Sequence, residues 1–404
     1  MKTMFRGLVA ALAVPALAGL ANADGCGPAP VRADEIMQTA PLTLEAAIAR
    51  AGQAAPEVLR AALGSKAASA EADQAGRWLN PAVSLETENF AGSGALEGFD
   101  AYETTLSFEQ TFRLGGKRRL SERAARAEAA LASAECRVQR LEVQKLAGEL
   151  FLELQAAIEM AEVAEASAGL AEEFARVVDR RVEAGAAAPP ELARAKADVA
   201  ILKAAADTAR GEVESRAIAL AAVWGEPEID FRLPDGRGAG LEGRELDAAS
   251  DPGRHPKLKA AEAGADARAA ATDRARAGAW PDLTVSAGVR RFEDTGDRAF
   301  LAGVSLPLPL FDRNEDATRA ARYRTEGAEL NTRAVKARLR AEQASLAARA
   351  RAATSRLRRL EGEALPLAEE AYSAAAKGYR VGKFDLTATL VNGGVKPDQR
   401  AAQK

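Results

Sequence analysis

From Pro81 onward the chain alternates. Val83, Leu85 and Thr87 fall on one side of an extended segment, and Ser84, Glu86 and Glu88 on the other. A Gly/Ser-rich turn follows at 91–94. Then Tyr102, Thr104, Leu106, Phe108, Gln110 and Phe112 alternate with Glu103, Thr105, Ser107, Glu109 and Thr111. The pattern returns later in the chain. Leu283, Val285, Ala287 and Val289 alternate with Thr284, Ser286, Gly288 and Arg290. A turn at 293–297 leads to Phe300, Ala302, Val304, Leu306, Leu308 and Leu310, where Pro307 and Pro309 limit pairing. Leu306 lies 200 residues after Leu106, so equal spacing predicts one register for both hairpins. The runs have about the length of a tilted membrane strand, roughly 9–11 residues. Carboxylates on one face and aromatics on the other suit a barrel with a wet interior. The same pattern suits a soluble hairpin with one face on a core.

Around the hairpins the period is helical. Pro56 and Pro81 recur as Pro256 and Pro281, so the chain reads as two copies of one unit: helix, strand hairpin, long helix. Pro56 and Pro256 open Ala-rich helices at the first turn, where the missing N–H costs nothing. The first repeat spans 42–224. It comprises a short helix capped by Thr43, a helix over 57–79, the hairpin 81–113, a long helix over 117–184 and a return helix over 191–224. In the long helix Leu131, Ala134, Val138 and Leu141 step as a coiled-coil seam does. A Gly/Pro-rich acidic connector covers 225–253. The second repeat spans 254–390, with a helix over 257–279, the hairpin 281–311 and a long helix over 315–377 kinked at Pro366. Residues 391–404 are atypical, because no long return helix follows the second turn; the expectation is a truncated or frameshifted C-terminus.

The N-terminus carries Lys2 and Arg6, an apolar run from Leu8 to Leu20 and small residues before Asp24. That is a secretory signal over 1–23, followed by a flexible tail over 24–41. Removing the signal takes the net charge from −3 to −5, since only Lys2 and Arg6 are lost. No basic patch interleaved with aromatics is present, so nucleic acid is not an expected partner. With one His and two Cys, catalytic triads and metal clusters have little to build on, and no cofactor, metal or catalytic site is expected. His255, before a helix-opening proline, reads as structural. Gly115-Gly116-Lys117 lacks the spacing of a phosphate loop. Cys26 sits in the tail and Cys136 inside a helix, so no bridge is expected; Cys26 is instead a candidate lipidation site.

Four strands cannot close a membrane barrel alone, so hairpins in lipid require several chains to share one. Three chains give twelve strands, and the same symmetry gathers the long helices into a tube. The fold class expected is therefore an α+β membrane protein with a helical coiled-coil barrel and a β-barrel shared between subunits. The competing reading is a soluble periplasmic coiled-coil adaptor or structural rod. Glu86, Glu88, Glu103 and Glu109 either line a barrel lumen and favour cations or simply form the wet face of the strands. Tyr102, Phe108 and Phe112 are expected to face lipid.

The order of helix, Asn80-Pro81, hairpin, Gly115-Gly116-Lys117 and long Ala-rich helix resembles the TolC-family outer-membrane efflux proteins. The second copy, ending in Tyr379-x-x-Gly382-Lys383-Phe384-Asp385-Leu386, strengthens the likeness. It covers about residues 41–386 and is greatest to the heavy-metal, cobalt–zinc–cadmium branch. The resemblance implies a homotrimeric exit duct embedded in outer-membrane lipid, with no chemistry of its own. Its implied partners are a periplasmic adaptor and a proton-driven, RND-type inner-membrane transporter. Carried over, the periplasmic docking tips and gate are Val182, Gly185, Pro189 and Pro190, and Tyr379, Arg380, Gly382, Lys383 and Asp385. After Leu386 the expected acidic residue and Ala-Gln helix are replaced by Thr387-Ala388-Thr389-Leu390.

Overall fold

The computed structural model describes residue 26, residues 41–234 and residues 251–380. Its first helix, α1 (Leu44–Ala54), starts where Thr43 Oγ1 accepts the Ala46 N–H at 3.2 Å. Proline opens α2 (Pro56–Ala75), α4 (Pro189–Ala222) and α5 (Pro256–Ala277). The single histidine caps α5: His255 Nδ1 accepts the Lys257 N–H at 3.2 Å. Helix α2 ends earlier than its Ala-rich sequence suggests, because Gly76 stops it and residues 76–81 carry the chain into the sheet.

Helix α3 (Lys117–Glu183) has 67 residues, about 100 Å of continuous rise. It packs against α1, α2, α4 and α5. Alanine is the commonest residue at its buried positions, among them Ala124, Ala134, Ala147, Ala161 and Ala168. Small side chains let several helices lie close along one seam. Larger residues concentrate in one cluster midway along, where Leu44, Val58, Phe151, Leu154, Leu220 and Trp224 meet. There the connector is stitched back onto α1. The Leu42 N–H donates to the Arg232 carbonyl at 3.0 Å, Arg50 pairs with Asp230, and the Arg50 guanidinium lies 4.6 Å over the Trp224 ring.

The second long helix begins as α6 (Glu315–Arg359) and continues through a π turn (Leu360–Ala364) into α7 (Leu365–Arg380). Pro366 has no N–H to donate back along the helix. The wider turn just before it takes up that defect. Helix α6 packs along α5 and buries only Ala321 and Leu339, leaving Leu330, Leu346 and Leu357 exposed.

Among the described residues, four strands form one antiparallel sheet in chain order: β1 (Ala82–Glu88), β2 (Glu103–Arg113), β3 (Asp282–Phe292) and β4 (Arg298–Ser305). The β2–β3 pair joins the two repeats. The equal-spacing expectation fails within the second hairpin. Leu85 pairs with Leu106, but its counterpart Val285 pairs with Val304, and Leu306 lies beyond the end of β4. The second hairpin is two residues shorter, which preserves the facing of every side chain. The long helices show the same offset. Lys117 follows Gly116 and Glu315 follows Asn314, and both capping residues are left-handed, at φ 71° and 57°.

Cys26 and Cys136 are joined by a disulfide, contrary to the expectation of no bridge. Their Cα atoms are 6.0 Å apart, within bridging range. Placement inside a helix is no obstacle, because Cys136 faces Ala61 and Ala62 of α2, whose small side chains leave room for Cys26. Arg140 Nη2 donates to the Cys26 carbonyl at 2.9 Å and fixes the approach. A sulfur bonded to Cys136 cannot carry a thioether-linked lipid, so bridge and lipidation are mutually exclusive at Cys26. The described residues stop at Arg380, so Gly382, Lys383, Asp385 and the atypical segment 391–404 lie outside them.

Three expectations follow. Non-reducing peptide mass spectrometry should recover Cys26 linked to Cys136; two free thiols, or an acylated Cys26, would contradict the bridge. Breaking it with Cys136→Ser should cost about 3–5 kcal/mol. At the strand-to-helix turn, a Cβ on Gly115 would sit 2.4 Å from Trp280 Cγ, whereas one on Gly116 meets nothing within 4 Å. Gly116→Asn should therefore be nearly neutral, as Asn314 is in the second repeat, while Gly115→Ala should cost the left-handed penalty of about 1–2 kcal/mol and displace the indole as well. Thermal unfolding of the detergent-solubilised protein reads both. Between α3 and α5, Lys257 Nζ lies 2.5 Å from Glu142 Oε1. This hydrogen bond holds the Glu142 carboxyl below its ordinary range and raises Lys257. The benefit is complete above the ordinary carboxylate pKa and fades as pH falls through the depressed one. It likewise fades at alkaline pH as Lys257 titrates. Glu142→Gln should lose under about 1 kcal/mol at neutral pH, since the pair is partly exposed, and nothing at a pH where Glu142 is already protonated.

Candidate functional site

The register sorts every strand residue onto one of two faces. Glu86, Glu88, Glu103, Thr105, Ser107 and Glu109 share a face with Thr284, Ser286, Gly288 and Arg290. Val83, Leu85, Leu106, Phe108 and Phe112 share the other with Val285, Val289, Phe300 and Val304. The exposure of these faces is the reverse of a water-soluble sheet. Val83 is 70% exposed, Val304 72% and Phe300 90%. On β3 the polar-face residues Thr284, Ser286, Gly288 and Arg290 are the covered ones, and Val285, Ala287 and Val289 between them are bare.

The polar face is tied together by its own side chains. Ser84 and Ser107 hydroxyls lie 2.7 Å apart, and Thr111 and Thr284 hydroxyls 3.0 Å apart. Arg290 crosses three strands. Its Nε donates to Thr105 Oγ1 at 2.9 Å, Nη1 to Glu103 Oε2 at 2.8 Å and Nη2 to Glu88 Oε2 at 3.2 Å. Asn89 Nδ2 holds the other Glu103 oxygen at 3.0 Å. The four carboxylates singled out in the sequence thus share a face but not an environment. Glu88 and Glu103 are half-buried and paired, while Glu86 and Glu109 are exposed and have no ion-pair partner among the described residues. Sequence reasoning placed Arg290 on the polar side but gave it no role. The signal was present, since an arginine alternating with Ser, Gly and Thr shares the polar face and so lies beside the carboxylates of whichever strands β3 joins.

Aromatics mark both ends of the bare face. At the helix end Trp78 packs edge-on to Phe112 at 6.1 Å, and Trp78 and Trp280 are 62% and 60% exposed. At the hairpin end Phe90 and Phe99 stack at 6.2 Å. Of the expected lipid-facing aromatics, Phe108 and Phe112 lie on the bare face. Tyr102 stands just before β2, its carbonyl accepting the Glu293 N–H at 3.1 Å. Among the described residues no helix is long and apolar enough to cross a membrane, and no group of three or more His, Cys, Asp or Glu comes together.

At the opposite end of α3, the turn to α4 is built by its backbone. The Gly185 N–H donates to the Val182 carbonyl at 3.0 Å and the Ala186 N–H to the Arg181 carbonyl at 2.7 Å, with Gly185 at φ 71°. This pair of bonds closes the helix with a left-handed glycine. Glu191 then accepts the Ala188 N–H at 3.3 Å ahead of the next helix. Gly185, Pro189 and Pro190 are exposed at the tip, whereas Val182 is half-buried against the small cluster around Val178 and Ala195. Tyr379 and Arg380 end α7.

Comparison with known proteins gives one answer. The sequence pattern of the family described as "Outer membrane efflux protein" matches residues 47–226 and 253–391. The cobalt-zinc-cadmium resistance protein CzcC of Cupriavidus metallidurans is 28% identical over 295 residues, covering 71% of this chain and 69% of that protein. The nickel-cobalt-cadmium resistance protein NccC of Alcaligenes xylosoxydans xylosoxydans is 31% identical over 282 residues, covering 68% of this chain and 62% of that protein. The chain thus spans about two thirds of the length of these curated relatives. The crystal structure of the outer membrane protein VceC of Vibrio cholerae superposes with a TM-score of 0.71 at 25% identity, covering 89% of this chain and 91% of that one. CusC shares the fold at a TM-score of 0.72 and 16% identity, over 91% and 90% of the two chains. These relatives are channel proteins rather than enzymes, and the soluble adaptor or rod is not favoured. The chain belongs to the outer membrane efflux protein family; it is an efflux channel subunit of the outer membrane that reaches into the periplasm.

Proposed function

We propose that three copies of the chain close a twelve-stranded barrel and continue it with their long helices as a passive exit duct through the periplasm. The carrying observation is the sheet: its apolar face is bare, on β3 the polar face is the more covered of the two, and β1 and β4 have no further strand partner among the described residues. An apolar face that size needs lipid, and an unpaired strand edge in lipid needs another strand. The exposed leucines of α6 call for neighbouring helices in the same way.

The duct does no chemistry. Its periplasmic tips dock a periplasmic adaptor and, through it, a proton-driven RND-type inner-membrane transporter. At the first tip the exposed turn at Gly185, Pro189 and Pro190 makes the contact, with Val182 bracing it from inside. At the second the reading assigns Tyr379, Arg380, Gly382, Lys383 and Asp385. The cargo is metal cations or other small solutes. The resistance named for CzcC and NccC, to cobalt, zinc, nickel and cadmium, supports divalent ions as that cargo.

Two adjacent positions test the facing. Leu106→Arg puts a charge on the lipid side at a cost of about 2–4 kcal/mol near the bilayer midplane, and should abolish the outer-membrane oligomer on fractionation and native gels. Glu86→Arg sits beside it in the sheet but points inward, and should assemble normally. Purified wild-type protein in planar bilayers should give steady single-channel conductance. A silent bilayer with an intact oligomer, or a soluble periplasmic monomer, would remove the duct reading.

A further inference from the structure

We infer that Arg290 determines the charge selectivity of the channel mouth, by neutralising part of an acidic ring that the strands would otherwise present to the lumen. The inference rests on the duct reading above. Arg290 spends each of its three nitrogens on a different side chain: Thr105, Glu103 and Glu88. Those partners lie on β1 and β2, so one guanidinium spans three neighbouring strands near the hairpin end of the sheet. Arginine suits the place because its donors form a rigid, planar fork that can reach several oxygen acceptors at once. With Glu88 and Glu103 held, the local cluster carries a net single negative charge per chain rather than two. Glu86 and Glu109, without ion-pair partners among the described residues, supply the field that solutes meet.

A charged ring in a narrow, low-dielectric wall acts over its whole cross-section, so one charge per chain alters the ratio of cation to anion passage. Removing the guanidinium should raise that ratio. At about 0.1 M salt the screened effect of one charge per subunit amounts to roughly a twofold change. Arg290 is thus a selectivity-determining residue, acting partly through its own charge and partly by holding Glu103 and Glu88 against the wall.

The test is the reversal potential of purified channels in planar bilayers under a potassium chloride gradient. Arg290→Met should shift it toward the potassium equilibrium potential, with a roughly twofold rise in cation preference. The double variant R290M/E103Q restores the wild-type charge count and should return the potential to its wild-type value. If Arg290→Met does not assemble, Glu88→Gln with Glu103→Gln leaves the arginine uncompensated and should shift the potential toward chloride. Wild-type channels that conduct, with no shift in whichever variants assemble, would overturn the role of Arg290 and leave the duct intact. Wild-type protein that assembles without conducting would instead overturn the duct reading.

Discussion

A backbone amide in hydrocarbon must find its partner within the protein, because no water is there to accept it. That constraint organises the molecule. The strands of each hairpin satisfy one another, and the β2–β3 pairing satisfies the seam between the repeats. What remains, among the described residues, are the outer edges of β1 and β4, the two shortest strands of the sheet. A chain that ends its sheet with two open edges and clothes one face in Val, Leu and Phe is one sector of a closed object. The long helices inherit the geometry. They start at left-handed caps: Gly116 comes three residues after the end of β2, and Asn314 closes the irregular stretch 306–314 that follows β4.

The duplication explains why the sector is built this way. Two hairpins of like facing, placed side by side in antiparallel order, give a four-stranded sheet with no crossover. The second hairpin has lost two residues, and the change is harmless because strands repeat every two residues. A loss of one residue would have turned Phe300 and Val304 onto the polar face. The helices tolerated larger differences. Pro366 is absorbed by a π turn in the second long helix, whereas α3 runs unbroken for 67 residues.

Much of this was legible in the sequence because it is local. Pro56, Pro256, Pro81 and Pro281 mark element starts through their own covalent geometry, Thr43 caps by its own hydroxyl, and alternation assigns faces without knowledge of the partner strand. What was not legible depends on residues far apart in the chain. The Arg290 cluster requires β2 to pair with β3 across 185 residues or more, from Thr105 and Glu103 to Arg290. The Cys26–Cys136 bridge, 110 residues apart, depends on small residues of α2 leaving room beside α3. The two-residue offset hid behind an equal count of 200, since Leu306 carries the right residue type one pleat too late. Composition said nothing about Val182, which the turn sequence places at the tip and packing draws inward.

The polar face shows how a wet channel can be lined without losing its fold. Four carboxylates on one curved surface repel one another, and a face left entirely acidic would press the strands apart. Pairing Glu88 and Glu103 with one arginine relieves that repulsion and cross-links three strands at the end farthest from the helices. At the helix end the same job falls to Lys117, which bonds Asp282 at 2.8 Å across the two repeats. A cation at each end thus stitches the seam; of the carboxylates with no ion-pair partner among the described residues, Glu109 lies between the two and Glu86 stands level with Arg290. With a cation holding the strands at each end, carboxylates that no described cation pairs can share that face without splaying it, because the repulsion between them works against ion pairs and a continuous backbone ladder.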